Sequence, residues 1–112
     1  MASNIREIIE GQLLGNSAAT LYTSPTGVFT QILKLTCCNI DTASHAVTIY
    51  LVTSGSSVGN AFYTTRGQAI QPGQTWNSPN EYGLVLAPGD FLAALADTGN
   101  VVNIAASGVQ LT

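Results

Sequence analysis

The chain is 112 residues long, 46% hydrophobic and only 8% charged, with 3 basic and 6 acidic side chains and a formal charge of -3. That length suits one domain that buries about two thirds of its extended-chain surface. Arg6, Lys34 and Arg66 lie far apart in sequence, so there is no basic stripe to neutralise a phosphate backbone, and no nucleic-acid partner is expected.

Soluble domains carry roughly one quarter charged residues. Here the surface must consist mainly of Thr, Ser, Asn, Gln, Gly and apolar groups, which can meet other subunits without expensive charge desolvation. Met1 to Gly15 mixes Arg6, Glu7 and Glu10 with short apolar groups and has no long apolar stretch before a small-residue cleavage site, so a secretory signal is not expected. No segment reaches the roughly 18 consecutive apolar residues of a spanning helix, and no membrane partner is expected.

Residues 1–15 read as an N-terminal arm ahead of one β domain over 16–112. Within the arm, Ile5, Ile8 and Ile9 have partial helical spacing, while Ile9, Gly11 and Leu13 could share one side of an extended segment. Either way Ile5, Ile8, Ile9, Leu13 and Leu14 need cover, from the arm's own sheet or from a neighbour.

After Asn16 the dominant period is two. Ala19, Leu21 and Thr23 form a short alternating row that ends at the turn Ser24-Pro25-Thr26-Gly27. Phe29, Gln31, Leu33, Leu35 and Cys37 then share one row, opposed by Thr30, Ile32, Lys34, Thr36 and Cys38; Leu33, Leu35 and Cys37 are expected to face inward. A turn over Asn39 to Ser44 leads into the clearest strand, with Val47, Ile49 and Leu51 on one face and Thr48, Tyr50 and Val52 on the other. Tyr50 and Val52 on the nominally outer face imply cover by a loop or another subunit.

Ser54 to Asn60 reads as a loop, followed by a strand in which Ala61, Tyr63 and Thr65 alternate with Phe62, Thr64 and Arg66. Pro72-Gly73 and Pro88-Gly89 share one layout. Pro fixes φ at the first inner turn position, and Gly accepts the positive φ that a type II turn requires at the second. Trp76 follows the first turn; Leu84, Val85 and Leu86 are expected to return to the core. Phe91 to Ala96 is apolar on both faces. Asp97 to Asn100 makes a hairpin connection in which Gly99 is available for positive φ. The last strand alternates Val102, Ile104 and Ala106 with Val101, Asn103, Ala105 and Ser107 and continues toward Val109 and Leu111. Seven or eight short strands with Gly/Pro turns predict an all-β fold, a compact antiparallel β-sandwich or jelly roll with a short N-terminal arm.

No residue pattern specifies catalysis. His45 is the sole histidine, and Ser44 is its only sequence-adjacent nucleophile; a nucleophile-base pair also needs a third, orienting group. Asp41, Glu81, Asp90 and Asp97 fall at turns or strand edges, and Asp90 suits a hydrogen-bonding role within its turn. There is no Asp-rich calcium loop, no Cys-x-x-Cys pair, and no Lys-Ser/Thr pair beside Gly55 to Gly59, so no cofactor or metal is expected. Adjacent Cys37 and Cys38 would point to opposite faces of a strand and cannot pair normally with each other; an intermolecular disulfide is the alternative to two small hydrophobes. Trp76, Tyr82, Tyr63 and Tyr22 are the aromatic groups available for recognition. The candidate interface residues are Ile5, Ile8, Ile9, Leu13, Leu14, Tyr50, Val52, Tyr63, Trp76 and Tyr82.

Five features carry a family resemblance. They are Glu10-Gly11-Gln12-Leu13-Leu14, Ala18 to Tyr22, the strand Val47-Thr48-Ile49-Tyr50-Leu51-Val52, the paired Pro72-Gly73 and Pro88-Gly89 turns, and Ala105-Ala106-Ser107-Gly108-Val109. Together the chain resembles the small virion structural proteins of tailed bacteriophages over nearly its whole length, departing from them mainly at Cys37-Cys38. The resemblance implies a non-enzymatic protein made in the bacterial host cytoplasm and carried on the virion. The implied role is capsid decoration or cement, with the major capsid protein and copies of itself, in a trimer, as partners. A tail, neck or baseplate component and a sugar-binding adhesin using Trp76 and Tyr82 are the alternative expectations.

Overall fold

The computed structural model describes residues 3–112. Its strands are β1 (Ser3–Leu13), β2 (Ala19–Thr23), β3 (Phe29–Asn39), β4 (His45–Val52), β5 (Tyr63–Ile70), β6 (Thr75–Asn77), β7 (Val85–Leu86), β8 (Phe91–Ala96) and β9 (Val102–Leu111), with a 3-10 turn over Asn60–Phe62. They build two antiparallel sheets. Sheet A has the order β1-β9-β3-β6, with β7 also pairing β3, and sheet B the order β2-β8-β4-β5. β6 and β7 lie along the same edge of β3 and act as two pieces of one strand position. Eight positions wound into two four-stranded layers in this order make a jelly roll. The expected all-β sandwich is therefore the observed fold.

Of the two covers open to the N-terminal segment, its own sheet or a neighbour, residues 3–13 take the first. Residues 3–13 pair with β9 from Ser3↔Leu111 to Leu13↔Asn103, so β1 is an edge strand of sheet A. Two register shifts, between Glu7 and Ile9 and between Ile9 and Gln12, break its alternation. As a result Ile8 and Ile9 are both buried, and Leu14 just beyond the strand is buried as well. Met1 and Ala2 lie outside the described residues.

A second irregularity sits in β3, whose partners on β9 run Ile32↔Gly108 and then Lys34↔Ser107. The extra residue is Leu33. Strict alternation would send Leu33 inward with Leu35 and Cys37, but one inserted residue reverses the parity of everything before it. Thr30 and Ile32 join Leu35 and Cys37 in the interior, while Phe29 and Gln31 turn outward and Leu33 is only half-buried. The interior side of β9 meets this segment at Gly108. A Cβ there would lie 2.5 Å from the Gln31 carbonyl oxygen, so only glycine lets the two backbones approach this closely.

The main core fills the space between the sheets. It includes Ile32, Leu35, Val47, Ile49, Ile70, Leu86, Leu92, Val102 and Ile104, with Leu21, Leu51 and Trp76 packed at its margins. A second apolar cluster lies on the other side of sheet B. There Tyr50, Val52 and Ala93 are buried under Val58 and Phe62, which belong to the β4–β5 connection, beside Tyr63, Phe91 and Leu95. Tyr63 stacks on Tyr50 with ring centroids 4.8 Å apart, and the Arg66 guanidinium lies 5.1 Å from the Tyr63 centroid. The two-sided apolar character of β8 follows directly: Leu92, Ala94 and Ala96 face the main core, and Phe91, Ala93 and Leu95 face this covered cluster.

Both Pro-Gly turns close as expected. The Gln74 N–H donates to the Gln71 carbonyl at 3.0 Å and the Asp90 N–H to the Ala87 carbonyl at 2.9 Å, with Gly73 and Gly89 at φ +72° and +88°. The Asp90 carboxylate accepts from the Ala87 and Ser54 N–H groups, which fixes its turn role. Two details differ from expectation. Asn100, not Gly99, takes the positive φ, at +64°, a conformation Asn tolerates. Of Leu84, Val85 and Leu86 only Leu86 enters the core, because the two-residue β7 docks on β3 across Gln31↔Val85 and Val85 shares the outward side of Gln31.

Gly108→Ala is expected to lower unfolding stability by about 1–3 kcal/mol through overpacking against β3, as read by denaturant titration. Gly11→Ala, with nothing within 4 Å of its added carbon, serves as the paired control and should change it far less.

Candidate functional site

The two outer faces of the sandwich are treated differently by the chain. Sheet B is roofed by the β4–β5 connection, whereas the strands of sheet A carry four of the exposed apolar side chains, Ile5, Leu13, Phe29 and Val85. The strand register arranges the outer face of sheet A in rows. Ser3, Leu111 and Phe29 form one row; Ile5, Val109, Gln31 and Val85 form the next; Glu7, Ser107 and Lys34 form a third. Ile5 is 79% exposed, Phe29 47% and Val85 50%, while Val109 and Leu111 are half-buried between them. An exposed apolar set of this kind, interspersed here with Ser3 and Gln31, marks a protein-binding face when it is large enough.

Beyond the charged row the face falls away into a groove of about 370 Å³ lined by Glu7, Ile9, Gly11, Lys34, Thr36, Ala105, Ala106 and Ser107. The groove opens where β9 contributes only Ala and Ser and β1 contributes Gly11. The bulges in β1 and β3 bring Glu7 and Lys34 level with Ser107, one on each side of β9. With neighbouring strands about 4.8 Å apart, their backbones are roughly 10 Å from each other. Neither is in an ion pair: among the described residues the paired charges are those around His45.

The ten candidate interface residues separate into three groups. Ile5, Leu13 and Tyr82 are exposed, Tyr82 at 68%. Tyr63 and Trp76 are half-buried against the chain's own clusters. Ile8, Ile9, Leu14, Tyr50 and Val52 are buried, so their cover comes from this chain, and they offer no surface to another. Phe29, Val85, Val109 and Leu111 are missing from the sequence-derived set: period-two patterning of the last strand already puts Val109 and Leu111 on the side of Asn103, Ala105 and Ser107, whereas Phe29 turns on the β3 bulge and Val85 on where β7 docks.

Three polar clusters hold the rest of the chemistry, and each is closed on itself. At one end His45 is clamped between two carboxylates, Nδ1 2.7 Å from Asp97 and Nε2 2.8 Å from Asp41. Asp97 also accepts from the Ala46 N–H. The Asp41 and Asp97 hydrogen bonds raise the His45 pKa above its ordinary 6.5. Asp41 is held below the usual 3.8 by the His45 hydrogen bond and then by the Thr42 N–H. At Asp97 burial acts upward, but the Ala46 N–H and His45 outweigh it and the carboxyl is lowered. With both ring nitrogens engaged, His45 has none left to activate Ser44, whose hydroxyl points to the Ile70 carbonyl.

In the interior, Glu81 is fully buried and accepts hydrogen bonds from Thr65 at 2.8 Å and from Ser78. Asn80 closes the cluster by donating to Thr65 at 2.9 Å. Burial, reinforced by the charge of Glu81, pushes the Cys37 thiol up to about 12. Both cysteines are free, Cys37 buried and Cys38 half-buried on the other face of β3. The third cluster runs from Ser24 through Thr30 and Tyr22 to Gln110 and Arg6 and ties β2 of sheet B to β1, β3 and β9 of sheet A. Among the described residues no three His, Cys, Asp or Glu side chains are grouped to hold a metal ion.

Compared with family models, curated proteins and solved structures, the chain matches none.

Two measurements check these clusters. His45 titrates near 6.5 when unfolded and higher when folded, so its stabilising contribution is complete below about pH 6.5 and is lost as pH rises through the folded value. The lowered Asp41 and Asp97 act in the opposite sense, their contribution fading as pH falls below the usual carboxylate range. The melting temperature should fall across the neutral range in the native chain and flatten in His45→Gln. Native-state alkylation should modify at most Cys38, with Cys37 reacting only after unfolding; rapid labelling of both thiols would contradict the burial of Cys37.

Proposed function

We propose that this chain is a non-enzymatic structural protein of a tailed-phage virion, a capsid decoration or cement protein. The observation that carries this reading is the unroofed outer face of sheet A, where Ile5, Phe29 and Val85 are exposed beside Val109 and Leu111. The same chain buries the equivalent apolar groups of sheet B under its own connection. A small chain gains solubility by covering such groups, and an uncovered set is consistent with cover supplied by other protein chains.

The jelly-roll order and the low charge density support the same role, as do the sequence features that resemble small virion proteins. The mechanism is mechanical. Weakly charged surfaces are buried between copies and across seams of the major capsid protein, at a scale of roughly 1,600 Å² for one specific interface. Repetition around the particle then multiplies modest single-site affinities. With three basic residues in the chain, nucleic acid is not a partner in this mechanism.

The adhesin alternative gains no specific support. Trp76 packs at the margin of the core, so the exposed Tyr82 lacks the second ring that a sugar platform on this pair requires.

The test is addition of purified protein to capsids that lack it. Co-sedimentation with the capsids and increased resistance to heat or low ionic strength are expected. Protein that stays in the supernatant and leaves capsid resistance unchanged would overturn the proposal.

A further inference from the structure

We infer that the outer face of sheet A docks against the same face of a second copy of this chain, about a two-fold axis running along β9. As a partner assignment this deepens the virion reading and draws its biological use from it, but the association itself is a property of the isolated protein.

The charge pattern selects the axis. Glu7 and Lys34 stand in one row on opposite sides of Ser107, and neither has an ionic partner among the described residues of its own chain. Rotation about an axis parallel to β9 keeps each row over its own row and exchanges the two sides. Glu7 then faces Lys34 of the partner subunit, and Lys34 faces Glu7 of the partner subunit, so one contact forms two ion pairs. A two-fold lying in the face but across the strands places Glu7 on Glu7 and Lys34 on Lys34, or shifts both onto apolar rows where they lose water without a partner. Both results are unfavourable.

Along that axis Val109 and Leu111 meet their own copies, while Ile5 faces Gln31 of the partner subunit and Phe29 faces Ser3 of the partner subunit, so the charged row and not the apolar rows selects the axis. The arrangement fits the aligned packing of two sheet faces about 10 Å apart. A single self-complementary patch generates a closed dimer, whereas a three-fold ring requires two different patches on each subunit. The exposed apolar rows occupy one face, so the geometry favours a two-fold contact over the trimer implied by the family resemblance. The groove of small residues beyond the charged row stays open at the rim, where interfaces are commonly wet.

Charge reversal tests the axis as well as the face, with light scattering and sedimentation giving mass and dissociation constant. The native chain should be a dimer. Glu7→Lys or Lys34→Glu alone should weaken it by about tenfold or more, with the double reversal restoring it. Ile5→Asp, at a 79% exposed position where folding is least disturbed, should yield folded monomer. A native monomer at high concentration, or single reversals without effect on mass, would overturn the inference; so would a double reversal as weak as either single one. A monomer that still binds capsids removes the dimer and leaves the virion proposal standing, and a dimer that ignores capsids does the reverse.

Discussion

One extra residue in β3 organises much of this molecule. Leu33 interrupts the pairing with β9 between Ile32↔Gly108 and Lys34↔Ser107, and because side chains alternate faces, everything before it changes sides. The interior gains Thr30 and Ile32; the exterior receives Phe29 and Gln31. The shift also brings Lys34 into the row of Ser107 and Glu7. Gly108 is the condition for this arrangement, since the Gln31 carbonyl occupies the space its Cβ would need.

A two-sheet sandwich has two outer faces, and here their fates diverge. The β4–β5 connection folds back over sheet B and converts Tyr50 and Val52 into a satellite core, while none of the described residues covers Ile5, Phe29 and Val85 on sheet A. Meanwhile the groups capable of chemistry are saturated by local partners: His45 by two aspartates, Glu81 by hydroxyls, Asp90 by turn amides. What remains available is a surface, and surfaces of low charge density act by contact.

The fold was largely legible in the sequence because its strongest signals are local. Val47 to Val52 alternates cleanly, and Pro72-Gly73 and Pro88-Gly89 carry the φ preferences of the turns they form. Phe91 to Ala96 announces burial on both sides. The errors arise where backbone pairing, a non-local property, sets the outcome. Leu33 and the Ile8-Ile9 pair sit at bulges that no periodicity encodes, and β1 becomes an edge strand only because β9, about a hundred residues later, offers it hydrogen bonds. The interface was half legible for the same reason. Exposed Ile5, Leu13 and Tyr82 were named, but Phe29 and Val85 depend on parity and on where β7 docks, and Tyr50 and Val52 depend on the connection that roofs them.

The position of β9 between β1 and β3 has a further consequence for biosynthesis. The first strand pairs only with the last, and β3 obtains its longest partner from the same segment. Sheet A therefore cannot close on a ribosome-bound chain until Val102–Leu111 has emerged, and until then the row that will hold Ile32 and Leu35 has no mate. Long-range pairing of this kind folds slowly and leaves strand edges open meanwhile. Completion of the layer is thus a late, nearly all-at-once event, which ties the appearance of the sheet A face to the emergence of β9.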